Sequence, residues 1–325
     1  MQVQRTIVLT GCCVLALSAI APAAGQGYPT RPVRMIVPFP PGGGNDILAR
    51  TVGNRLTEVV GQQVVVDNRG GAGGLIGAQL AATAIPDGYT IFLGSVGNLA
   101  QIPALKSDLP YHPLKDFAAV SLLATSAFVL AVHPAVPAKS VKELIALAKA
   151  SPGKLNYASA GPGSSLHMAA ELFKHATATD IVHVPYKGAN PALTDLISGR
   201  VQLVFSTMPP VLPHVRSGKL RGLGVTTAKR ASAAPELPTI AESGVANFEV
   251  ANWQGIVVPV KTPKPLVQKL NRDLLATLQL PGMTESLAAQ GLEPAASTPE
   301  DFAALVRREI SKYTQVVKVA GIRVD

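Results

Sequence analysis

The sequence predicts an α/β protein of two domains, each a mixed, largely parallel sheet flanked by helices, and three observations carry that prediction. Its 325 residues suit about two domains at roughly 150 residues each. Hydrophobic residues make up 47% and charged residues 15%, the reverse of a disordered composition and ample for a large core. Most telling, one unit recurs: a short β-branched run, a loop of small residues, then an amphipathic helix. Such alternation is the mark of parallel βαβ architecture.

The elements follow in order. Val33–Val37 reads as a strand, Pro38 to Gly44 as its loop, and Asn45 or Asp46 as the cap of a helix that Gly61 stops near Val60. Gln63–Val66 is a second strand, leading through the loop Asp67–Gly74 to a helix ending near Ala84. Pro86-Asp87-Gly88 marks a turn, Tyr89–Leu93 a third strand and Gly94–Asn98 its loop. Phe117–Leu123 and Phe128–Val132 read as two strands bridging to a second half. Ser140, three residues before Glu143, forms a capping box for a helix to Ala150.

The unit then returns. Leu155–Ala158 is a strand, Ser159–Gly163 a loop, and Ser164 the cap of a helix to His175. Ile181–Val184 precedes the loop Tyr186–Ala189, after which Asn190 reads as a cap with Pro191 at the first helical position. Val201–Phe205, the loop Ser206–Pro209, a short helix to Ser217, and strands at Leu223–Thr226 and Gly255–Val260 follow, with a mostly helical tail from Pro265 to Val319. The late strand and helices return to the first domain, giving domains at 26–125 plus 254–325 and at 126–253, with a ligand cleft between them. In such sheets ligands bind outside the carboxyl ends of strands, where loops enter helix N-termini.

Residues 1–25 read as a cleavable secretory leader: a basic start, an apolar run from Thr6 to Ile20, and small residues around Ala21–Gly25. Both cysteines, Cys12 and Cys13, fall inside it, so the exported chain should carry no disulfide or thiol chemistry. The formal net charge is +9, but the basic residues are scattered and aromatics are 5%, which argues against nucleic acid and fits a mild bias toward small anions.

Catalytic and cofactor motifs are incomplete. Gly71-Ala72-Gly73…Gly77 approaches a dinucleotide fingerprint, but follows the second strand and lacks the acidic partner about 20 residues on. Gly42-Gly43-Gly44 lacks the Lys-Ser/Thr ending of a phosphate loop. Ser164, His167 and Glu171 share a helical face, yet no Gly-x-Ser-x-Gly elbow exists, and a serine at a helix start usually caps. His167 is read as a ligand contact or a loop hydrogen-bonder. His112, His133, His175, His183 and His214 show no metal spacing. Asp46 and Arg50 form an i, i+4 pair on a helix start, and Trp253 reads as core or hinge packing.

A series of motifs resembles one family throughout the chain after the leader. Pro29-x-Arg31-Pro32-Val33-Arg34…Val37-Pro38-Phe39-x-Pro41-Gly42-Gly43…Asp46…Ala49-Arg50 is similar to the opening of the solute-binding proteins of tripartite tricarboxylate transporters, the Bug family. So are Gly61-Gln62…Asn68-Arg69…Gly71-Ala72-Gly73-Gly74…Gly77, Pro86-Asp87-Gly88-Tyr89-Thr90, Gly153–Ser159…Gly163-Ser164…His167, Val184–Gly188…Pro191-Ala192…Asp195-Leu196…Gly199, and Trp253-x-Gly255. Asp67, His112 and Val260-Lys261 depart from the family pattern.

The resemblance implies a type II periplasmic binding protein of Venus-flytrap form that closes over a small carboxylated solute (a dicarboxylate, tricarboxylate, aromatic acid or amino acid). It implies a monomer, without catalysis, cofactor or metal, that delivers its solute to the membrane permease subunits or reports it to a sensor kinase. Carried over from the family, the ligand residues would be Phe39, Pro40, Gly43, Gly44 and Asp46 after the first strand, with Ser95 and Asn98. From the second domain would come Ser159, Gly161, Ser164, Ser165, His167, Lys187, Gly188, Ala189 and Ser206. Two other readings are a secreted α/β hydrolase or oxidoreductase, which would turn its ligand over, and a module that binds another protein.

Overall fold

Alternation within the first strand decides which layers its sheet separates. In β1 (Val33–Val37), Val33, Met35 and Val37 enter one apolar layer and Ile36 the opposite one. The structure, a computed structural model, describes residues 27–320, so the leader read at 1–25, with Cys12 and Cys13, lies outside it. The first set continues with α1 (Gly44–Val60), β2 (Val64–Asn68), α2 (Leu75–Ala82), β3 (Thr90–Ser95) and α3 (Ile102–Leu105). After the long β4 (Phe117–Val132) come α4 (Val141–Ala150), β5 (Asn156–Ser159), α5 (Ser165–Thr177), β6 (Val182–Pro185), α6 (Ala189–Ile197), β7 (Leu203–Thr207), α7 (Met208–Arg216) and β8 (Arg221–Val225). The chain returns through β9 (Ala251–Pro259), α8 (Lys264–Leu278), α9 (Met283–Ala289), a two-residue β10 (Glu293–Pro294) and α10 (Pro299–Ala320).

The strands fall into two sheets that share β4. In the first, the order is β2-β1-β3-β9-β4, with β1 parallel to both neighbours and β9 antiparallel to β3 and β4. From Phe128 onward β4 pairs instead with β7 and β8, and the second sheet runs on through β5 to β6, parallel to each other as β5 is to β7. The sequence suggests two strands here because Ala124–Ala127 is a run of small and polar residues. They are one strand of 16 residues, whose two ends serve different sheets.

Helices cover both faces of each sheet. Leu48, Val52 and Leu56 of α1 pack with Leu270 and Leu274 of α8 under the first sheet, and Phe302, Val306 and Tyr313 of α10 lie on the other side. In the second lobe, Val129 and Ala131 of β4 join Leu193 and Leu196 of α6, while Phe128, Leu130 and Val132 join Phe173 of α5. Trp253 is core, as its position near the crossover suggests. Its ring meets Phe302 edge-on at 5.8 Å, and its Nε1 donates to Glu309 at 3.3 Å.

This topology positions the functional loops. β1 has β2 on one side and β3 on the other, and β5 likewise lies between β6 and β7. Successive crossovers therefore leave in opposite directions at the carboxyl ends of β1 and β5, and at such switch points a crevice opens.

Candidate functional site

The loops leaving β1 and β5 meet across the lobe boundary at close range. Asn190 Nδ2 donates to the Pro41 carbonyl at 3.0 Å, joining the second lobe to the first. A Cβ on Gly44 would stand 2.4 Å from Thr207 Oγ1, and one on Gly73 would stand 2.5 Å from the Pro162 carbonyl oxygen. Only glycine allows these backbones to approach so closely.

Between the lobes lies a small inner pocket of about 30 Å³, lined by Phe39, Gly43, Gly44, Asn45, Ala160, Ser164, Ser165, Leu166, Ala189 and Thr207. These residues are the starts of four helices: α1 begins at Gly44, α5 at Ser165, α6 at Ala189 and α7 after Thr207. α1, α6 and α7 have no side-chain cap, which leaves the first N–H groups of α1, those of Ala189 and Asn190 in α6 and that of Met208 in α7 without a capping side chain, while Pro191, Pro209 and Pro210 carry no N–H. In α5, Ser164 Oγ accepts from the His167 N–H at 3.3 Å, as the sequence predicts, leaving the N–H groups of Ser165 and Leu166 toward the pocket. Two expected caps differ. Asp46 lies in the first turn of α1, with Gly43 at the cap position, and Asn190 lies in the first turn of α6 behind Gly188. Tertiary contact explains the second case: the Asn190 side chain is used across the lobes.

Outside the inner pocket the cleft widens to a mouth of about 470 Å³, bounded by Phe39–Pro41, Asn68, Gly70–Gly74, Ala160–Pro162 and Tyr186–Gly188. The residues expected from the resemblance therefore divide into three groups. Phe39, Gly43, Gly44, Ser164, Ser165 and Ala189 line the inner pocket, whereas Pro40, Gly161, Lys187 and Gly188 line the mouth. Asp46, Ser95, Asn98, Ser159, His167 and Ser206 are buried behind the loops, and several of their polar atoms bond the loop backbone, while Asp46 Oδ1 and Asn98 Nδ2 have no partner among the described residues.

That third group builds the loops from beneath. Asp46 Oδ2 accepts from the Gly42 N–H at 2.8 Å and from Arg50 Nε at 3.0 Å. Burial pushes this carboxyl up, but the Arg50 guanidinium, the Gly42 N–H and Asn68 together hold it below its usual range. Asn98 Oδ1 accepts from the Ser95 N–H at 2.9 Å, which fixes the turn after β3. Ser206 Oγ donates to the Thr207 carbonyl at 3.2 Å.

His167 is a loop hydrogen-bonder. Its Nδ1 accepts from the Gly163 N–H at 3.1 Å, and its ring stacks on His183 at 4.2 Å. His183 Nε2 meets Ser159 Oγ at 2.6 Å, and the Gly161 N–H donates to the same Ser159 oxygen at 3.1 Å. Burial depresses both imidazoles, and the neighbouring His167 helps to push His183 down to about 4.

Several buried polar groups here have no motif of their own in the sequence. Gln254 of β9 donates from Nε2 to Asn45 Oδ1 at 3.4 Å, leaving Gln254 Oε1 and Asn45 Nδ2 without partners among the described residues. Asn98 Nδ2, Thr207 Oγ1 and both amide atoms of Gln101 are also buried and unpartnered there. Asn45 and Thr207 were legible as neighbours of candidate loops. Gln101 and Gln254 come from a helical turn and a strand whose sequences read only as structure. No group of three or more His, Cys, Asp or Glu suited to a metal occurs among the described residues.

Comparison with known proteins gives the same reading along nearly the whole chain. The profile of the tripartite tricarboxylate transporter family receptor matches residues 48–322. Protein BugT of Bordetella pertussis is 37% identical over 324 residues, covering 99% of each chain. A Rhodopseudomonas palustris protein solved with adipate superposes with a TM-score of 0.88 at 40% identity, covering 91% of this chain and 99% of that one. MatC from the same species, solved with bound malate, gives 0.86 at 32% identity, covering 89% and 100%. The chain belongs to the tripartite tricarboxylate transporter receptors, the Bug family of periplasmic solute-binding proteins, which are receptors and not enzymes.

Proposed function

We propose that this receptor binds a small dicarboxylate in the cleft and hands it to the membrane permease subunits of a tripartite tricarboxylate transporter. The observation that carries the reading is the convergence of four helix starts on an inner pocket that no lysine or arginine lines. Helix N-termini offer unpaired N–H groups and a partial positive charge, a setting suited to a carboxylate. Relatives solved with adipate and malate support a diacid. In this reading the domains divide within β4 and again near the start of β9, where the strand pairing changes sheet, and the leader at 1–25 is removed on export.

A melting-temperature screen over aliphatic, hydroxylated and aromatic di- and tricarboxylates tests it. A true ligand at a hundredfold excess over Kd stabilises the fold by about 2.7 kcal/mol and is recovered unchanged after denaturation. A panel-wide absence of any shift, or recovery of a chemically altered ligand, would overturn the proposal.

A further inference from the structure

On one rim of the mouth the two lobes touch through their loops. The turn Pro40-Pro41-Gly42 is held from within its own lobe: Asp46 Oδ2 accepts from the Gly42 N–H at 2.8 Å, and Asn68 Nδ2 donates to the Phe39 carbonyl at 2.9 Å. Pro40 also packs so closely on Gly70 that a Cβ there would stand 2.8 Å from Pro40 Cδ. None of these contacts involves the second lobe, so the turn and its Pro41 carbonyl are in place whether the cleft is open or closed.

The loop that meets this turn leads into α6. Gly188 has φ of 131°, and a Cβ on it would come 3.1 Å from Pro40 Cδ. Two residues on, Asn190 Nδ2 donates to the Pro41 carbonyl at 3.0 Å, and a Cβ on Gly42 would stand 2.0 Å from that nitrogen. Away from the strands β4 and β9, this is the one side-chain hydrogen bond between the lobes among the described residues. No salt bridge among them crosses from lobe to lobe. Asn190 lines neither the inner pocket nor the mouth, and it does not cap α6. Neither solute contact nor helix capping therefore accounts for its amide.

Resting on the receptor reading above, we infer that Asn190 is a latch, whose amide takes the Pro41 carbonyl as the cleft closes and so prolongs retention of the bound acid. The bond is exposed and neutral, strong enough to alter a rate several-fold and weak enough to break at each opening. Because it exists only with the lobes together, it acts on release and not on entry.

Association and dissociation rates of labelled adipate and malate, and of any other acid that shifts the melt, test the latch. Asn190→Ala should raise the off-rate about threefold to tenfold, without lowering the on-rate or the melting temperature of the free protein. The factor should be the same for every acid, because the side chain touches the closing turn and not the solute. Gly42→Ala, whose methyl would displace the amide, should also raise the off-rate, and adding Asn190→Ala to it should raise it no further. An unchanged off-rate in Asn190→Ala, a fall in its on-rate or free-state melt, or a factor that differs between acids would overturn the latch and leave the receptor reading standing. No binding of any acid to the wild type would overturn both.

Discussion

Because no lysine or arginine lines the inner pocket, single-residue effects on binding should track backbone N–H groups. Ser165 is the first helical residue of α5, and Ser164 before it is extended, with ψ of 157°. Proline is accommodated at that position, so Ser165→Pro deletes one pocket N–H without breaking the helix. Its loss should cost about 1.5–3 kcal/mol of binding, with Ser165→Ala as the control for the hydroxyl. Lys187→Ala, an exposed charge at the mouth, should cost only about 0.2–1 kcal/mol. Calorimetry orders the two, and a larger loss for Lys187→Ala would mean that a salt bridge governs the site. Another residue explains part of a motif. A Cβ on Gly255 would lie 2.4 Å from Phe302 Cζ and 2.6 Å from the Ser121 carbonyl oxygen, where the pairing of β4 with β9 shifts register. Gly255→Ala should therefore destabilise the fold by about 1–3 kcal/mol, read as a lower urea midpoint, and an unchanged midpoint would show that the strand can shift to absorb the methyl.

At the level of elements, the β5 loop and the start of α5 are held by paired imidazoles, which makes them sensitive to acid. His167 and His183 are depressed first by burial, and Lys174 adds to this, while Glu171 acts in the opposite sense. The surrounding groups are Tyr157, which donates to Glu171, and Lys174, whose Nζ lies 2.8 Å from the same carboxylate. A histidine with a depressed pKa binds fewer protons folded than unfolded. Its stabilisation is complete above the ordinary value of 6.5 and is lost as pH falls, for His183 down to about 4. Within that window stability should drop by up to about 1.4 kcal/mol per pH unit for each imidazole. Protonated Nδ1 of His167 can no longer accept from Gly163, so affinity should weaken together with stability. Urea titrations from pH 7 to 4 on wild type and His183→Gln check this, and parallel curves for the two would remove His183 from the account. The loop was legible because Ser164 and Ser140 behave as caps in sequence and in structure, their oxygens accepting from the third residue on. What was hidden depends on distant chain. Asn190 looks like a cap until Pro41 arrives from the other lobe. β4 looks like two strands because its small central residues gain their strand character from pairing with β9. Gln254 is a polar residue within an apolar strand, and only the fold brings it against Asn45 at the start of α1.

For the whole molecule, two sheets share β4 and are joined again by the chain's return through β9, so relative motion of the lobes must concentrate near Thr125–Phe128 and Ala251–Trp253. The described arrangement is closed: the inner pocket holds about 30 Å³, and glycine backbone stands against the opposite lobe at several points. Entry of a diacid then requires opening, and affinity includes the free energy of closing. Gly44 isolates that step. It lies at the start of α1, and a Cβ there would be 2.4 Å from Thr207 Oγ1 and 3.0 Å from Thr207 Cβ, both in the second lobe. Gly44→Ala therefore meets an obstacle only when the lobes come together, whereas within its own helix alanine is the better residue. The free protein should melt at or slightly above the wild-type temperature, while affinity falls about tenfold or more, equivalent to at least about 1.4 kcal/mol. Small-angle scattering should show the variant failing to contract at saturating ligand. Thr207→Gly removes the opposing atoms at a cap position where glycine is tolerated, so the double variant should regain both contraction and most of the affinity. If Gly44→Ala contracts and binds like the wild type, the close approach of Gly44 to Thr207 is no part of ligand-driven closure. If it loses free-state stability and Thr207→Gly does not restore binding, the glycine serves the first lobe's own packing.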